Sequence, residues 1–387
     1  MPNARDGPGR KWLGRLYLYL SGREEPTMMI HSLLENMVES GASDLYLTAG
    51  APVMMRVHNE VLPVGEKILE PADTEEISFG LMDATQRGDF SRTSEMNLAF
   101  NLESLGRFRT NVFRQRGSIG LVIRYVKLDI PSIEELNLPP ILKDLITRPR
   151  GLVLVTGATG SGKSTTLASM IDYRNRTTDG HIISLEDPIE YVHRHHRSIV
   201  NQREIGLDSE CYEIAMKNVL RQAPDVILVG EIRDRQAMDQ VMSYAETGHL
   251  VLSTLHSTNA NQTIQRVIQF FPKDIESKVY EQLSQTLQAV ISQRLVSRAD
   301  GGGLVPAVEV MITSARIKEL VGKGETGELK EVIEASRQDG MQTFDQCLYK
   351  LVSIGMVTEE HAFRAADSPG DLKLRLQGLG SGVAVGH

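Results

Sequence analysis

The chain has 387 residues, 41% of them apolar and 24% charged, and carries a net charge of −8. That length suits two to three domains at ~100–200 residues each, and no apolar run approaches the ~18 residues that a membrane helix needs. The acidic balance argues against nucleic acid as the main partner, and two cysteines, Cys211 and Cys347, in no metal spacing exclude a cysteine zinc module and fit a reducing, cytoplasmic setting.

Residues 1–28 read as an appended or disordered tail, because Trp12–Leu20 is short, is broken by Gly14 and Arg15, and lacks the marks of a secretory signal. Residues 29–126 read as a small α+β domain. Ile30–Ser40 has helical apolar spacing, Ser43–Leu47 alternates like a strand, and Val53–Val57 and Val61–Pro63 could pair with it. Phe108–Phe113 and Ile119–Val126 alternate again around the turn-like Arg116-Gly117-Ser118. Residues 127–150 hold Pro131, Pro139, Pro140 and Pro149, a density that predicts a linker with one short helix, Ile141–Thr147.

From Gly151 the pattern changes to continuous apolar runs, Leu152–Val155, His181–Leu185, Val226–Val229 and Leu250–Thr254, separated by helical stretches. Such runs predict strands buried on both faces in a doubly wound parallel sheet, here over 151–311. Residues 312–375 read as a small helical bundle and 376–387 as a flexible tail.

The chemistry begins at Gly157-Ala158-Thr159-Gly160-Ser161-Gly162-Lys163-Ser164, followed by Thr165. The G-x-x-x-x-G-K-S spacing after an apolar strand predicts a phosphate-binding loop for ATP with Mg²⁺. Glycines let backbone N–H groups converge on phosphate, the following helix points its positive end there, Lys163 brings a mobile charge and Ser164 a hydroxyl for the metal.

Three further signals surround it. Asp225–Val229 leads through Gly230 into Glu231, so this strand should lie beside the first one, with Glu231 holding a metal-bound water and Asp225 structural. Glu186, Asp187 and Glu190 follow another strand and could polarise the attacking water. His249 and His256 bracket a strand whose length keeps them from sharing one metal. His256, at its carboxyl end, could sense the outer phosphate. His193, His195 and His196, beside Arg194 and Arg197, read as a solvated loop.

The segments GATGSGKST, ISLEDPIEY, NQREIG, LRQAPDVILVGEIRD and AETGHLVLSTLHS occur in this order. As a set they resemble the secretion-type ATPases, the motors of type II secretion and type IV pili. GASDLYLTAG and RFRTNVFRQRG resemble the PAS-like first domain of the pilus retraction branch, and the end of the chain is closer to the PilU type than to the PilT type. The resemblance implies an α/β fold: a PAS-like N-terminal α+β domain joined to a RecA-like P-loop ATPase domain with a C-terminal helical bundle. It places Lys163 and Ser164 in the Walker A positions, Glu231 in Walker B, Glu190 as catalytic glutamate with Glu186 as alternative, His249 and His256 in the histidine box, and Arg109 and Arg124 where first-domain arginines reach the nucleotide.

The same resemblance implies a homo-hexamer at the cytoplasmic base of the pilus machine. Its partners would be a PilT-like retraction ATPase and an inner-membrane platform protein, with neither zinc nor nucleic acid. Leu220-Arg221-Gln222-Ala223-Pro224-Asp225 replaces the acidic LREDPD of the PilT type, which favours the PilU type. Two other readings stay open: an ATP-binding regulatory subunit of a paralogous motor, and a RecA-like nucleic-acid translocase.

Overall fold

The computed structural model describes residues 26–378 apart from positions 59, 103–104 and 127. The segment Trp12–Leu20 and the last nine residues lie outside the described residues. Two compact units divide the chain, Met1–Leu128 and Asp129–His387. No helix among the described residues is long and apolar enough to cross a membrane.

The first unit opens with helix α1 (Pro26–Glu39). It buries Ile30, Leu33, Leu34 and Met37, the i, i+3, i+4, i+7 stripe that the spacing predicts. Strands β1 (Asp44–Thr48), β2 (Pro52–Val57) and β3 (Glu60–Ile68) follow, then helices α2 (Pro71–Gly80) and α3 (Ala84–Thr93), then β4 (Glu95–Leu102), β5 (Gly106–Gln115) and β6 (Ser118–Val126). The strands form one sheet in the order β3-β2-β1-β6-β5-β4, every pair antiparallel. Phe108 is wholly buried, with the rings of Phe100 and Tyr125 at 5.7 Å and 5.5 Å. Helices α2 and α3 and strand β4 are additions to the pattern read from sequence. Between them α2 and α3 bury only Thr74, Ile77, Ser78 and Phe90, too few for a legible apolar stripe.

The second unit begins with 129–150. Ile133, Leu138, Leu142, Leu145 and Ile146 of this segment are buried in the unit's core, so its prolines shape a packed stretch around helix α4 (Ile141–Thr147). There follow β7 (Gly151–Gly157), α5 (Lys163–Thr177), β8 (Gly180–Glu186), β9 (Ser198–Glu204), α6 (Tyr212–Val219), β10 (Val226–Val229), α7 (Arg235–Glu246), β11 (Leu250–Leu255), α8 (Ala260–Gln269), α9 (Glu276–Thr286), β12 (Leu287–Ser297) and β13 (Leu304–Ile312). The seven strands run β13-β12-β7-β11-β10-β8-β9. All neighbours are parallel except the β12–β13 hairpin.

One expectation fails here. Strand β10 does not lie beside β7, because β11 pairs with both and separates them. Both inner strands are buried throughout, and Ser253 and Thr254 are the only polar residues on them, so sequence alone leaves their order open.

The remaining helices do not form one bundle. Helices α10 (Ala315–Lys323) and α11 (Leu329–Ala335) bury Ile317, Leu320, Leu329 and Ile333 in the main core. Helices α12 (Phe344–Ser353), α13 (Glu359–Ala365) and α14 (Pro369–Leu376) instead share an apolar cluster with Val296 and Val305 of the hairpin. Arg294 ties this cluster to the sheet. Its guanidinium lies 3.9 Å from the centre of the Phe344 ring, pairs with Asp367 at 2.6 Å, and donates to the carbonyls of Ala365 (2.6 Å) and Thr258 (3.4 Å).

Opposite Ser292 on the paired strand β13, Glu309 is buried. It accepts the N–H of Ala260 at 2.7 Å and the hydroxyl of Ser292 at 3.3 Å. Ser292 in turn accepts from Thr156 of β7 at 3.2 Å. Burial pushes the Glu309 carboxyl from an ordinary 4.5 up to about 7. The fold therefore prefers the protonated acid: this contribution is fully present below the ordinary carboxyl value and is lost as pH rises through about 7. Over that window the loss is about 3 kcal/mol at most. Denaturant unfolding at about pH 5 and about pH 8 should show a stability gap that narrows in Glu309→Gln; an unchanged gap would show that Glu309 does not titrate there.

Candidate nucleotide site

Strand β7 ends at Gly157 and helix α5 starts at Lys163, so the loop between them delivers the unpaired N–H groups of a 15-residue helix to one point. Gly157, Gly160 and Gly162 have φ of +150°, +76° and +88°, a region that side chains disfavour. A Cβ at Gly157 would lie 2.4 Å from Ser161 Oγ and 2.6 Å from the carbonyl oxygen of Gln293 on β12. Lys163 folds back on its loop and donates to the carbonyls of Gly157 (3.0 Å) and Ala158 (2.9 Å). Burial lowers its pKa, while Glu231 and Glu190 act to raise it.

Parallel strands bring their carboxyl ends to one edge. There the ends of β7, β8, β10 and β11 surround a cavity of about 360 Å³. Its lining includes Lys163, Ser164, Glu186, Glu190, Glu231 and His256. Glu231 is held from two sides, by Nε2 of His256 at 3.0 Å and Nε of Arg233 at 3.0 Å. Arg233 also reaches Asp187 at 3.0 Å. Glu186 accepts from Ser184 Oγ at 2.6 Å and from Gln202 Nε2 at 3.2 Å. Burial is the largest influence on its carboxyl and raises its pKa; the nearby Glu190 charge adds to this. Asp225 stands apart and accepts the N–H of His181 at 2.8 Å, a structural contact at the start of its strand.

These features match a known family. Residues 22–303 fit the model described as Type II/IV secretion system protein. The chain belongs to the type II/IV secretion ATPase family. It is 49% identical over 360 residues to the type IV pilus ATPase PilU of Pseudomonas aeruginosa, covering 93% of this chain and 94% of that one. It is 42% identical over 342 residues to the type IV pilus retraction ATPase PilT of the same organism, covering 88% and 99%. The crystal structure of the pilus retraction motor PilT with bound ADP superposes with a TM-score of 0.82 at 40% identity, over 88% of this chain and 98% of that chain.

Within this family member the other expected site residues separate. His249 lies at the amino end of β11, outside the cavity lining, with its Nδ1 3.2 Å from the Tyr244 carbonyl oxygen and 3.3 Å from Thr247 Oγ1. The six residues of β11 stand between it and His256, so the structure brings only one of the two histidines to the phosphate loop. Arg109 and Arg124 are neighbours across β5 and β6 in the first unit. Arg124 pairs with the buried Asp44 at 2.7 Å.

Among the lining residues that escaped the sequence reading are Tyr191, His193 and Tyr212. The reading of His193 as part of a solvated loop is overturned, since it is buried and burial pushes its pKa down to about 4. Its neighbours His195 and His196 are exposed, so no apolar periodicity marks the one that turns inward.

Gly157→Ala tests the loop geometry. The added methyl cannot fit against the Gln293 backbone, so binding of a fluorescent ATP analogue should weaken at least about tenfold, a change of about 1.4 kcal/mol. Unchanged binding would show that the loop tolerates a shift there.

Proposed function

We propose that this P-loop ATPase works as a hexameric motor of the type IV pilus and powers or assists pilus retraction in the manner of an accessory, PilU-like subunit. One observation carries the reading: a phosphate loop, a lysine and three glutamates line a single cavity at the carboxyl edge of the parallel sheet. The likeness to PilU and PilT over nearly the whole chain directs that chemistry to the pilus.

In this mechanism the N–H groups of 157–164 and the Lys163 ammonium hold the outer phosphates of ATP. Lys163 exchanges its two carbonyl partners for phosphate oxygens. Glu190, exposed on the cavity wall, orients the attacking water and takes up its proton. Glu231 keeps its place through His256 and Arg233, so His256 feels the departure of the outer phosphate through that same contact. The oxygen donors Ser164 and Glu231 suit Mg²⁺, Glu231 through water. Mg²⁺, when bound, supplies neutralisation of phosphate charge.

Arg109 and Arg124 are proposed to serve the nucleotide from the first domain. The hinge belongs at the junction near 128–129, a placement supported by the packing of 129–150 into the second unit. The protein is placed at the cytoplasmic face of the inner membrane, docked on a platform protein and beside a PilT-like motor. A purely regulatory subunit of a paralogous motor is the second reading.

Lys163→Ala should abolish ATP turnover, and Glu190→Gln should lower it by about 10²–10⁴ while nucleotide still binds. In cells deleted for the gene, either variant should fail to restore twitching. Wild-type turnover in Lys163→Ala would overturn the assignment. Turnover that appears only on mixing with a PilT-like motor would select the regulatory reading.

A further inference from the structure

The segment Asn201-Gln202-Arg203-Glu204-Ile205-Gly206 has no part in the chemistry above. It lies at the end of β9, the edge strand beside β8, with Gln202 opposite Ser184 and Glu204 opposite Glu186. Alternate residues of a strand share a face, so Gln202 and Glu204 stand on the side where Ser184 and Glu186 stand.

Gln202 makes three hydrogen bonds there. Its Nε2 donates to Glu186 Oε1 at 3.2 Å and to the carbonyl of Tyr191 at 2.8 Å, and its Oε1 accepts the N–H of His193 at 2.8 Å. Glu204, buried, accepts the N–H of Ile189 at 3.4 Å. Tyr191 reaches Thr165 on α5, hydroxyl to hydroxyl, at 3.0 Å. The loop between β8 and β9 is thus fastened at 189, 191 and 193, and Glu190, between the fastened points, faces the cavity.

We propose that Gln202 is a positioning residue for ATP hydrolysis: it fixes the 187–193 loop so that the Glu190 carboxylate stands across the cavity from Lys163. This rests on the assignment of Glu190 as the water-orienting group. The three bonds need two donors and one acceptor on a single neutral side chain, which the glutamine amide supplies. An ionised glutamate keeps the acceptor and loses both donors, and alanine loses all three. Misplacement of a reacting group by about 1 Å can cost about 10² in rate, so the loss should fall on turnover.

Steady-state kinetics of the full chain from about pH 6 to about pH 9, with Gln202→Ala, Gln202→Glu, Glu190→Gln and Lys163→Ala, test this. Gln202→Ala should lose about 10–100-fold in kcat with KM for ATP held within about twofold. Gln202→Glu should regain turnover at the acid end, where one proton shared with Glu186 restores a donor, and lose it as pH rises. Glu186 on β8 and the Tyr191 and His193 backbone touch Gln202, Glu204 shares its strand face, and Glu190 and Tyr212 act electrostatically on Glu186 or respond to it. Burial holds His193 down at about 4, so it stays neutral and cannot offset the added charge.

Wild-type kcat in Gln202→Ala, a KM that rises in step with the fall in kcat, or identical pH profiles for the two Gln202 variants would each overturn the proposal. If Gln202→Ala melts early, the pH-dependent recovery of Gln202→Glu decides. Should Glu190→Gln turn over normally, the assignment of Glu190 falls; an inactive Glu190→Gln beside a normal Gln202→Ala removes only the positioning role.

Discussion

Four carboxylates, Glu186, Asp187, Glu190 and Glu231, converge on one end of a parallel sheet, and their mutual repulsion is the constraint around which this site is built. Glu186, Asp187 and Glu231 each have a neutralising or hydrogen-bonding neighbour close by. Arg233 bridges Asp187 and Glu231 from one side. His256 meets Glu231 from the other. Ser184 and Gln202 serve Glu186, whose burial favours the neutral acid. Lys163 supplies the mobile positive charge, with Glu231 and Glu190 both acting on it. The arrangement suits a polyphosphate, which needs cations and N–H donors in front and carboxylates only where water or metal stands.

The sheet explains why these groups meet at all. Glu186 ends β8, Glu231 follows β10, His256 follows β11 and the phosphate loop follows β7. In a parallel sheet every such position falls on the same edge. The buried strands set this register: Val226–Val229, Leu250–Leu255 and Gly151–Gly157 are buried throughout. The polar groups of β11 are hydroxyls turned to neighbouring carbonyls, Ser253 to Val229 at 2.6 Å and Thr254 to Gly230 at 2.7 Å.

Much of this was legible from sequence, for identifiable reasons. The loop at 157–164 has its spacing dictated by the ligand, and the apolar runs mark strands whatever their order. The order itself was not legible, because β10 and β11 are both buried throughout and either could pair with β7. The inward turn of His193 goes with a backbone hydrogen bond to Gln202, nine residues away, which no local pattern records. His249 and His256 look alike as residues flanking one strand, yet strand direction puts only the second at the phosphate edge. The prolines of 127–150 suggested a linker with one short helix; the helix is there, while the burial of the segment rests on the leucines and isoleucines between the prolines.

Arg294 has a mechanical meaning. One guanidinium spans the carbonyl of Thr258, two residues past His256, and the Ala365–Asp367 segment near the far end of the chain. It works as a splint between two parts separated by about a hundred positions. A shift of the loop beyond His256 cannot occur without either breaking that brace or dragging the terminal helices along. The helices at 359–376 are therefore tied to the phosphate end, although none of their residues lines its cavity.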